Sequence, residues 1–386
     1  MPNSLTPILL QRLAESPSGS IPFREFIEIA LYHPDHGYYT SGESKVGRAG
    51  DFFTSVSVGP LFGTLLASQF AELWEKLGRP APFTIVEQGA HRGDFAHDLL
   101  TALQLLFPSC YGVTEYQIIE PSNALRSAQI QRLSEFPSEK LRWFPSLEAL
   151  PAFTGVHFSN ELLDAFPVHS VVFNGDDWSE IHIKSDQEKF QRTERPISNQ
   201  KLRAILQTLP ELPSGYQTEV NLAALSWIEL LETKLIRGFV FIIDYGFSRA
   251  EYYRPERTSG TLTGYANHRR VSDLLANPGE ADITAHLDFT SLAEHALAAG
   301  LQIAGFTDQH HFIVALGAGY FREPLPSTPE KDRELRAFKT LMHPQIMGQK
   351  FQVLAFHKQV IPTPLAGFTF ARDFHSTLGI GSNSSD

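Results

Sequence analysis

The chain is short of cysteine, of basic charge and of long apolar runs. Its one cysteine, Cys110, excludes an intrachain disulfide and a cysteine-built zinc site, and such usage fits a reducing compartment. Lys and Arg number 32 against 43 Asp and Glu, a formal net charge of −11, which argues against a nucleic-acid binder, because such proteins carry a basic face. No run of about 18 apolar residues occurs, so no membrane-spanning helix is expected. Met1 to Ser16 has neither the basic-then-apolar order of a secretory signal nor the arginine content of a mitochondrial transit peptide. The expectation is a cytoplasmic protein, or one of the mitochondrial matrix if the chain is eukaryotic and its transit peptide has been removed. Motifs are missing too: there is no G-x-S-x-G elbow, no Walker loop and no H-E-x-x-H frame. His182 and His268 stand alone and His310-His311 are merely adjacent, so no metal site is expected.

With 386 residues, 42% of them hydrophobic and 19% charged, the chain reads as a soluble globular protein with core enough for one large domain or two. Its most informative stretch is Val86-Glu87-Gln88-Gly89-Ala90-His91-Arg92-Gly93-Asp94-Phe95. The apolar residues Phe83 to Val86 lead into an acid and a glycine turn. Phe95, Leu99, Leu103 and Leu106 then fall on one helical face. Strand, glycine turn and helix in that order make a nucleotide-cofactor site, because glycine lets a ligand approach the backbone. A pyrophosphate cofactor asks for G-x-G-x-x-G and an acid about 20 residues on. Here the glycines are Gly89 and Gly93, neither Ala90 nor His91 is glycine, and the next strand-ending acid is Glu120, after Tyr116-Gln117-Ile118-Ile119. S-adenosylmethionine suits the pattern better: it has no phosphate but a sulfonium cation, an amino acid end and a ribose diol. Glu87 could face the amino acid end and Glu120 could accept both ribose hydroxyls, since a carboxylate is acceptor-only with two oxygens. The alternative is that Gly89 and Gly93 make a tight turn and nothing more.

From about residue 82 the pattern alternates strand and helix, which predicts a parallel sheet in an α/β protein. Strands are expected at 83–87, 115–120, 141–144, 155–159 and 239–243, with 301–306 and 351–357 as an antiparallel finish. Phe239-Val240-Phe241-Ile242-Ile243 is apolar throughout, as a strand covered on both faces should be. Residues 1–80 read as an extension of helices and loop packing on the cofactor site. Within it, an amphipathic helix opens at Ile21-Pro22-Phe23 with the proline in its first turn, a loop runs from Gly47 to Ser55, and a helix spans Phe62 to Leu77. About 75 residues separate the fourth and fifth strands, far more than an ordinary crossover. The expected division is thus the extension, a core of 81–165 and 238–386, and an inserted segment of 166–237 over the active face that selects substrate. Residues 322–335 and 378–386, polar and rich in proline or serine, are expected to be mobile.

Ligands of an open parallel sheet bind outside the carboxyl ends of its strands. Four expected strands end in acids or amides: Glu87, Glu120, Asn160-Glu161 and Asp244. Asn160-Glu161-Leu162-Leu163-Asp164 is the densest group. Each has a plainer reading: Asp164 as a cap of the following turn, Glu161 as the partner of an arginine. Asp244 resists one, because a lone buried carboxylate costs several kcal/mol unless it is paired.

Further stretches carry a resemblance. They are Pro34 to Tyr39, Gly50-Asp51-Phe52-Phe53-Thr54-Ser55 with Phe62-Gly63, the glycine turn, Asn160 to Val168 and Asp244-Tyr245-Gly246. Gly260-Thr261-Leu262 with Tyr265, His268, Pro278-Gly279, Asp282 to Phe289, and Met347-Gly348-Gln349 with Phe351 complete the set. In these the chain resembles, over nearly its whole length, the MidA-like methyltransferase family, whose mitochondrial member is an assembly factor for respiratory complex I. The resemblance implies a class I, Rossmann-like methyltransferase fold with a mostly parallel seven-stranded sheet, and S-adenosyl-L-methionine as cofactor. It implies that Glu87, Gly89, Ala90, Gly93 and Glu120 line the cofactor. The loop bearing Asp51, Thr54 and Ser55 would close over it, with Asn160-Glu161 near the reacting methyl. The mitochondrial member methylates an arginine of a complex I subunit, which suggests a protein substrate. Two departures stand out. The family reads E-x-G-x-G-x-G where this chain has His91 at the middle glycine, which narrows the approach and asks for a different backbone angle. The acid that usually follows the T-S of the loop is replaced by Ser57.

Methyl transfer is an in-line displacement at carbon, so the enzyme's task is to align the partners and hold charge. An arginine acceptor is cationic in water, its pKa lying above about 12, and carboxylates bind its planar fork at two points. Glu161, with Asp164 or Asp244 in support, is the expected catalytic group. A small-molecule methyltransferase is the rival reading. A non-catalytic assembly factor that keeps the fold is another, kept open by His91. A nicotinamide oxidoreductase is disfavoured by the missing third-position glycine.

Overall fold

The apolar run Phe239–Ile243 becomes the middle of a strand, Leu235–Phe247, with each of its five residues at most 2% exposed. β-Branched and aromatic side chains fit a pleated surface covered on both faces, and here both are covered. The structure, a computed structural model of the chain, describes residues 5–40, 54–187, 189–266, 269–321 and 328–381. The chain forms two compact units. One comprises Met1–Phe52, Leu163–Ser226 and Arg249–Asp288; the other comprises Phe53–Leu162, Trp227–Ser248 and Phe289–Asp386.

The second unit holds every apolar run expected to be a strand. These are Phe83–Gln88 (β1), Thr114–Ile119 (β2), Leu141–Phe144 (β3), Phe153–Asn160 (β4), Leu235–Phe247 (β5), Gln302–Asp308 (β6) and Phe351–Lys358 (β7). They stand side by side in the order β6-β7-β5-β4-β1-β2-β3. The pairs β5/β4, β4/β1, β1/β2 and β2/β3 are parallel, and β7 runs antiparallel to both β5 and β6, so the sheet is mixed.

Helices Leu61–Lys76 (α1) and Asp94–Leu106 (α2) bring Leu65, Leu66, Phe70, Leu99 and Leu103 into the core. Phe95 stacks on Phe158 of β4 at 4.3 Å, and Phe70 meets the rings of Phe158 and Phe241 at 5.8 and 6.2 Å. Each such buried ring contributes about 1.5–3 kcal/mol. Helix Asn123–Arg132 (α3) follows β2 and is mostly polar, and its Gln129 is fully buried. Helix Leu222–Lys234 (α4) precedes β5; its Trp227 donates to Gln88 Oε1 at 2.9 Å and meets the His157 ring at 5.3 Å.

The strand order fixes where a ligand can sit. From β1 the chain steps outward through β2 to β3, then returns to lay β4 and β5 on the other side of β1. The direction of travel therefore reverses between β1 and β4. Crossovers that leave toward opposite sides open a crevice beyond the carboxyl ends of these two strands.

The first unit carries an antiparallel sheet. Strands Ser20–Pro22, His169–Phe173, Trp178–Asp186, Lys189–Pro196 and Tyr216–Val220 form it, with Ile21 opposite Ile183. The helix expected to open at Ile21 instead spans Phe23–Tyr32. Pro22 is its N-cap at φ −55 and ψ 145, because Ser20, Ile21 and Pro22 are drawn into the sheet. Helix Leu5–Glu15 packs Leu5, Leu9 and Leu13 with Phe23, Phe26, Val168 and Ile183 in a core of the unit's own. Among the described residues, no helix is long and apolar enough to cross a membrane, and no group of His, Cys, Asp and Glu could hold a metal ion.

Candidate active site

The turn from β1 into α2 is built on left-handed backbone. Gly89 has φ +84 and Gly93 has φ +83, and His91 between them has φ +45. Glycine adopts this region freely, whereas an L side chain there costs about 1–2 kcal/mol. The sequence raised the question of the backbone angle at His91, and the structure holds that residue in the left-handed region with its side chain in place. Two hydrogen bonds enforce the shape: Gly93 N donates to Ala90 O at 2.7 Å and Gln129 Nε2 donates to His91 O at 2.8 Å. The imidazole is largely desolvated, which pushes its pKa down to about 4 and keeps it neutral. A Cβ built on Gly89 would stand 3.4 Å from Leu162 Cδ1 and 4.0 Å from Asn160 O, so the turn and the end of β4 lie against each other. Ala90 is buried at 6% exposure.

The acids at the ends of β1 and β2 differ in their surroundings. Glu87 is 3% exposed, and its hydrogen-bond partner is neutral: Tyr116 Oη donates to Oε2 at 2.7 Å. Burial raises its pKa to about 8, with the Tyr116 bond pulling the other way. Glu120 is better provided, since Ser122 N donates to Oε1 at 2.8 Å and Gln129 Nε2 to Oε2 at 2.9 Å. Burial still raises its pKa, against both of these bonds. Each oxygen keeps a lone pair for a further donor.

Beyond β4, Glu161 sits at φ +53, a second non-glycine residue in left-handed backbone at this end of the sheet. Its amide donates to Ile243 O at 2.9 Å and its Oε1 accepts from Asn160 Nδ2 at 3.0 Å. Asn160 Oδ1 is buried and has no protein partner among the described residues. Strained backbone of this kind gathers at sites where a side chain must be aimed. Asp244 is completely buried and receives two backbone amides, Leu162 N at 3.2 Å and Tyr245 N at 2.8 Å. That pairing is what allows a carboxylate at the end of so apolar a strand.

Of the remaining expected residues, Thr54 makes a reciprocal turn with Ser57. Thr54 N donates to Ser57 Oγ at 2.9 Å and Ser57 Oγ to Thr54 O at 2.7 Å. The serine that replaces the family's acid therefore closes this turn. Ser55 is fully buried and its hydroxyl donates to Gln309 Oε1 at 2.9 Å, in the core of the second unit. Asp51 and His268 lie outside the described residues. Asp164 belongs to the first unit, where its carbonyl accepts from Ala285 N at 2.9 Å. There its charge adds to burial and to that of Asp282 in holding the Tyr32 and Tyr39 hydroxyls protonated.

Two site residues were missed in the sequence. Gln129 bonds Glu120, the His91 carbonyl and, through its Oε1, Trp143 Nε1 at 3.0 Å, tying the glycine turn to the second acid. Tyr116 supplies the bond to Glu87. The available signal was slight: one of three amides in a helix with little apolar surface, and a tyrosine two strand positions from the register of an acid.

Known proteins resemble the chain over most of its length. The profile of a family described as "Putative S-adenosyl-L-methionine-dependent methyltransferase" matches residues 65–307. A protein from Burkholderia thailandensis, solved with S-adenosyl-homocysteine bound, is 33% identical with a TM-score of 0.86, the match covering 97% of this chain and 96% of that one. The mitochondrial "protein arginine methyltransferase NDUFAF7 homolog" of Drosophila melanogaster is 27% identical over 91% of this chain and 86% of its own. The mitochondrial protein arginine methyltransferase NDUFAF7 of Danio rerio is 25% identical over 95% and 93%.

Proposed function

The chain belongs to this S-adenosyl-L-methionine-dependent methyltransferase family, and from that footing we propose that its acceptor is an arginine side chain of a protein. It is a methyltransferase and its cofactor is S-adenosylmethionine. When bound, that cofactor supplies a methyl group made electrophilic by a positive sulfur. The chain's own residues suit it. Glu120 offers a paired, acceptor-only carboxylate to a ribose diol, and the left-handed turn at Gly89 and Gly93 presents backbone without Cβ atoms. Glu87, Ala90 and Asn160 would complete the cofactor wall, with Thr54 and Ser55 fixing the end of the loop before α1. The class I, Rossmann-like reading is supported by the order β3-β2-β1-β4-β5-β7-β6, seven strands of an eight-stranded sheet, in which the pairs from β3 to β5 are parallel.

The observation that carries the reading is the meeting of the β1 turn with the end of β4 at the point where strand order reverses. Ligands of open α/β sheets bind at such a point, which supports putting cofactor and acceptor there. Glu161 would hold the guanidinium and orient one of its nitrogens, and Asp244 would hold Glu161 in place through the Leu162 amide. Residues 166–237 would select the acceptor, and Asp164 would act within that selecting unit. Removing the whole segment would strip Ser20–Pro22 of its strand partners, so point substitutions are the better probe. A cytoplasmic setting is proposed for a bacterial chain; the curated relatives are mitochondrial.

Calorimetric titration with S-adenosylmethionine, beside the Gly89→Val variant, tests the cofactor site. Micromolar binding lost in the variant supports it. Labelled methyl transfer into cell protein, with the product hydrolysed to amino acids, tests the acceptor: label in methylarginine supports the reading, and label only in small molecules overturns it.

A further inference from the structure

Glu87 is a buried carboxyl, 3% exposed. Its hydrogen-bond partner is a phenol, Tyr116, itself fully buried, and no cation lies within ion-pair distance of it among the described residues. Around it, β2 presents Tyr116, β4 presents the apolar Phe158 in register, and the start of α2 presents Asp94, whose negative charge further disfavours ionisation. A carboxylate in such a place is expensive unless a positive group arrives, so the free protein keeps the proton. The cofactor is the positive group: it carries a sulfonium and an ammonium against a single carboxylate.

We propose that Glu87 gives up its proton to solvent when S-adenosylmethionine binds, so that cofactor uptake and proton release are one event. The step is simple to balance. The carboxyl O–H bond breaks, the proton leaves to buffer, and the carboxylate left behind is matched by the cofactor's cation. The inference rests on the cofactor assignment above. It adds that affinity depends on pH. A group protonated in the free protein and ionised in the complex makes binding tighten as pH rises, by up to about tenfold per unit, until the free group's own pKa is reached. With that value near 8, the rise runs through neutral pH; above it the cofactor's own ammonium titrates as well, so the slope is read below pH 8. His91, held neutral with a pKa near 4, does not titrate in this window.

Calorimetric titration of the full chain with S-adenosylmethionine at pH 7, in phosphate and in Tris, counts the protons, because the two buffers differ in ionisation heat. Close to one proton released per cofactor bound is expected. Glu87→Gln, in which the amide oxygen can still accept from Tyr116, should bind more weakly, release none and lose the pH slope. Binding by the unaltered chain with equal heats in the two buffers overturns the proton linkage while leaving the cofactor site standing. Release that persists in Glu87→Gln overturns the assignment to Glu87. Absence of any binding overturns both.

Discussion

The amide of Leu162 donates to a carboxylate oxygen of Asp244 at 3.2 Å, which ties the chain leaving β4 to the strand beside it. The other oxygen takes Tyr245 N at 2.8 Å. Asp244→Ala would strand two buried donors, at about 1–3 kcal/mol each. We expect a loss of about 2–4 kcal/mol in urea unfolding, with Asp244→Asn losing less because one acceptor remains. Equal stability of the alanine variant and the parent would show that these bonds hold nothing.

His91→Gly replaces a strained residue with one at ease at φ +45. Release of the left-handed penalty should stabilise the fold by about 1 kcal/mol, partly offset by the greater freedom of the unfolded glycine. Tm should rise slightly, and cofactor affinity should hold or improve. A fall in Tm would mean that the ring's own packing outweighs the strain.

Glu120→Ala should weaken S-adenosylmethionine binding about ten- to a hundredfold, the size of a lost hydrogen bond to a charged group. Gln129→Leu should move affinity in the same direction by a smaller factor, since it frees Glu120 and the turn carbonyl together. Titration of both variants reads this directly. Unaltered affinity in Glu120→Ala would remove it from the site.

Glu161→Gln keeps the Asn160 bond available and removes the negative charge. Cofactor affinity should stay within about twofold, while kcat should drop about a hundredfold or more, the scale of a lost charge-stabilising contact. Turnover equal to that of the parent would exclude Glu161 from the chemistry.

The sheet could be read from the sequence because its strands are apolar runs that end in acids. Glu87, Glu120 and Glu161 come at the ends of β1, β2 and β4, as expected, and β5 runs four residues beyond Ile243 to Phe247. What escaped was non-local. A three-residue strand, Ser20–Pro22, has too little pattern to announce a partner at Lys184–His182. Asn160 to Asp164 reads as one motif, yet the chain passes from one unit to the other after Leu162, so that Glu161 and Asp164 belong to different units. The bond from the Ser55 hydroxyl to Gln309 Oε1, across more than 250 residues of sequence, had no local signal either. Gln129 was hidden because a buried amide in a polar helix looks like any surface glutamine until its three partners are seen.

The interleaving of the two units also orders the birth of the protein. The chain crosses between them five times, at Phe52/Phe53, Leu162/Leu163, Ser226/Trp227, Ser248/Arg249 and Asp288/Phe289. On the ribosome Ile21 must wait for Ile183, and β5 must wait for β7 to emerge near the far end of the chain. At ordinary translation speeds that is a delay of roughly 8–30 s for the first and roughly 6–24 s for the second, with strand edges bare in the meantime. Neither unit can be finished before most of the other has been made, so neither can complete its sheet while the chain is still short.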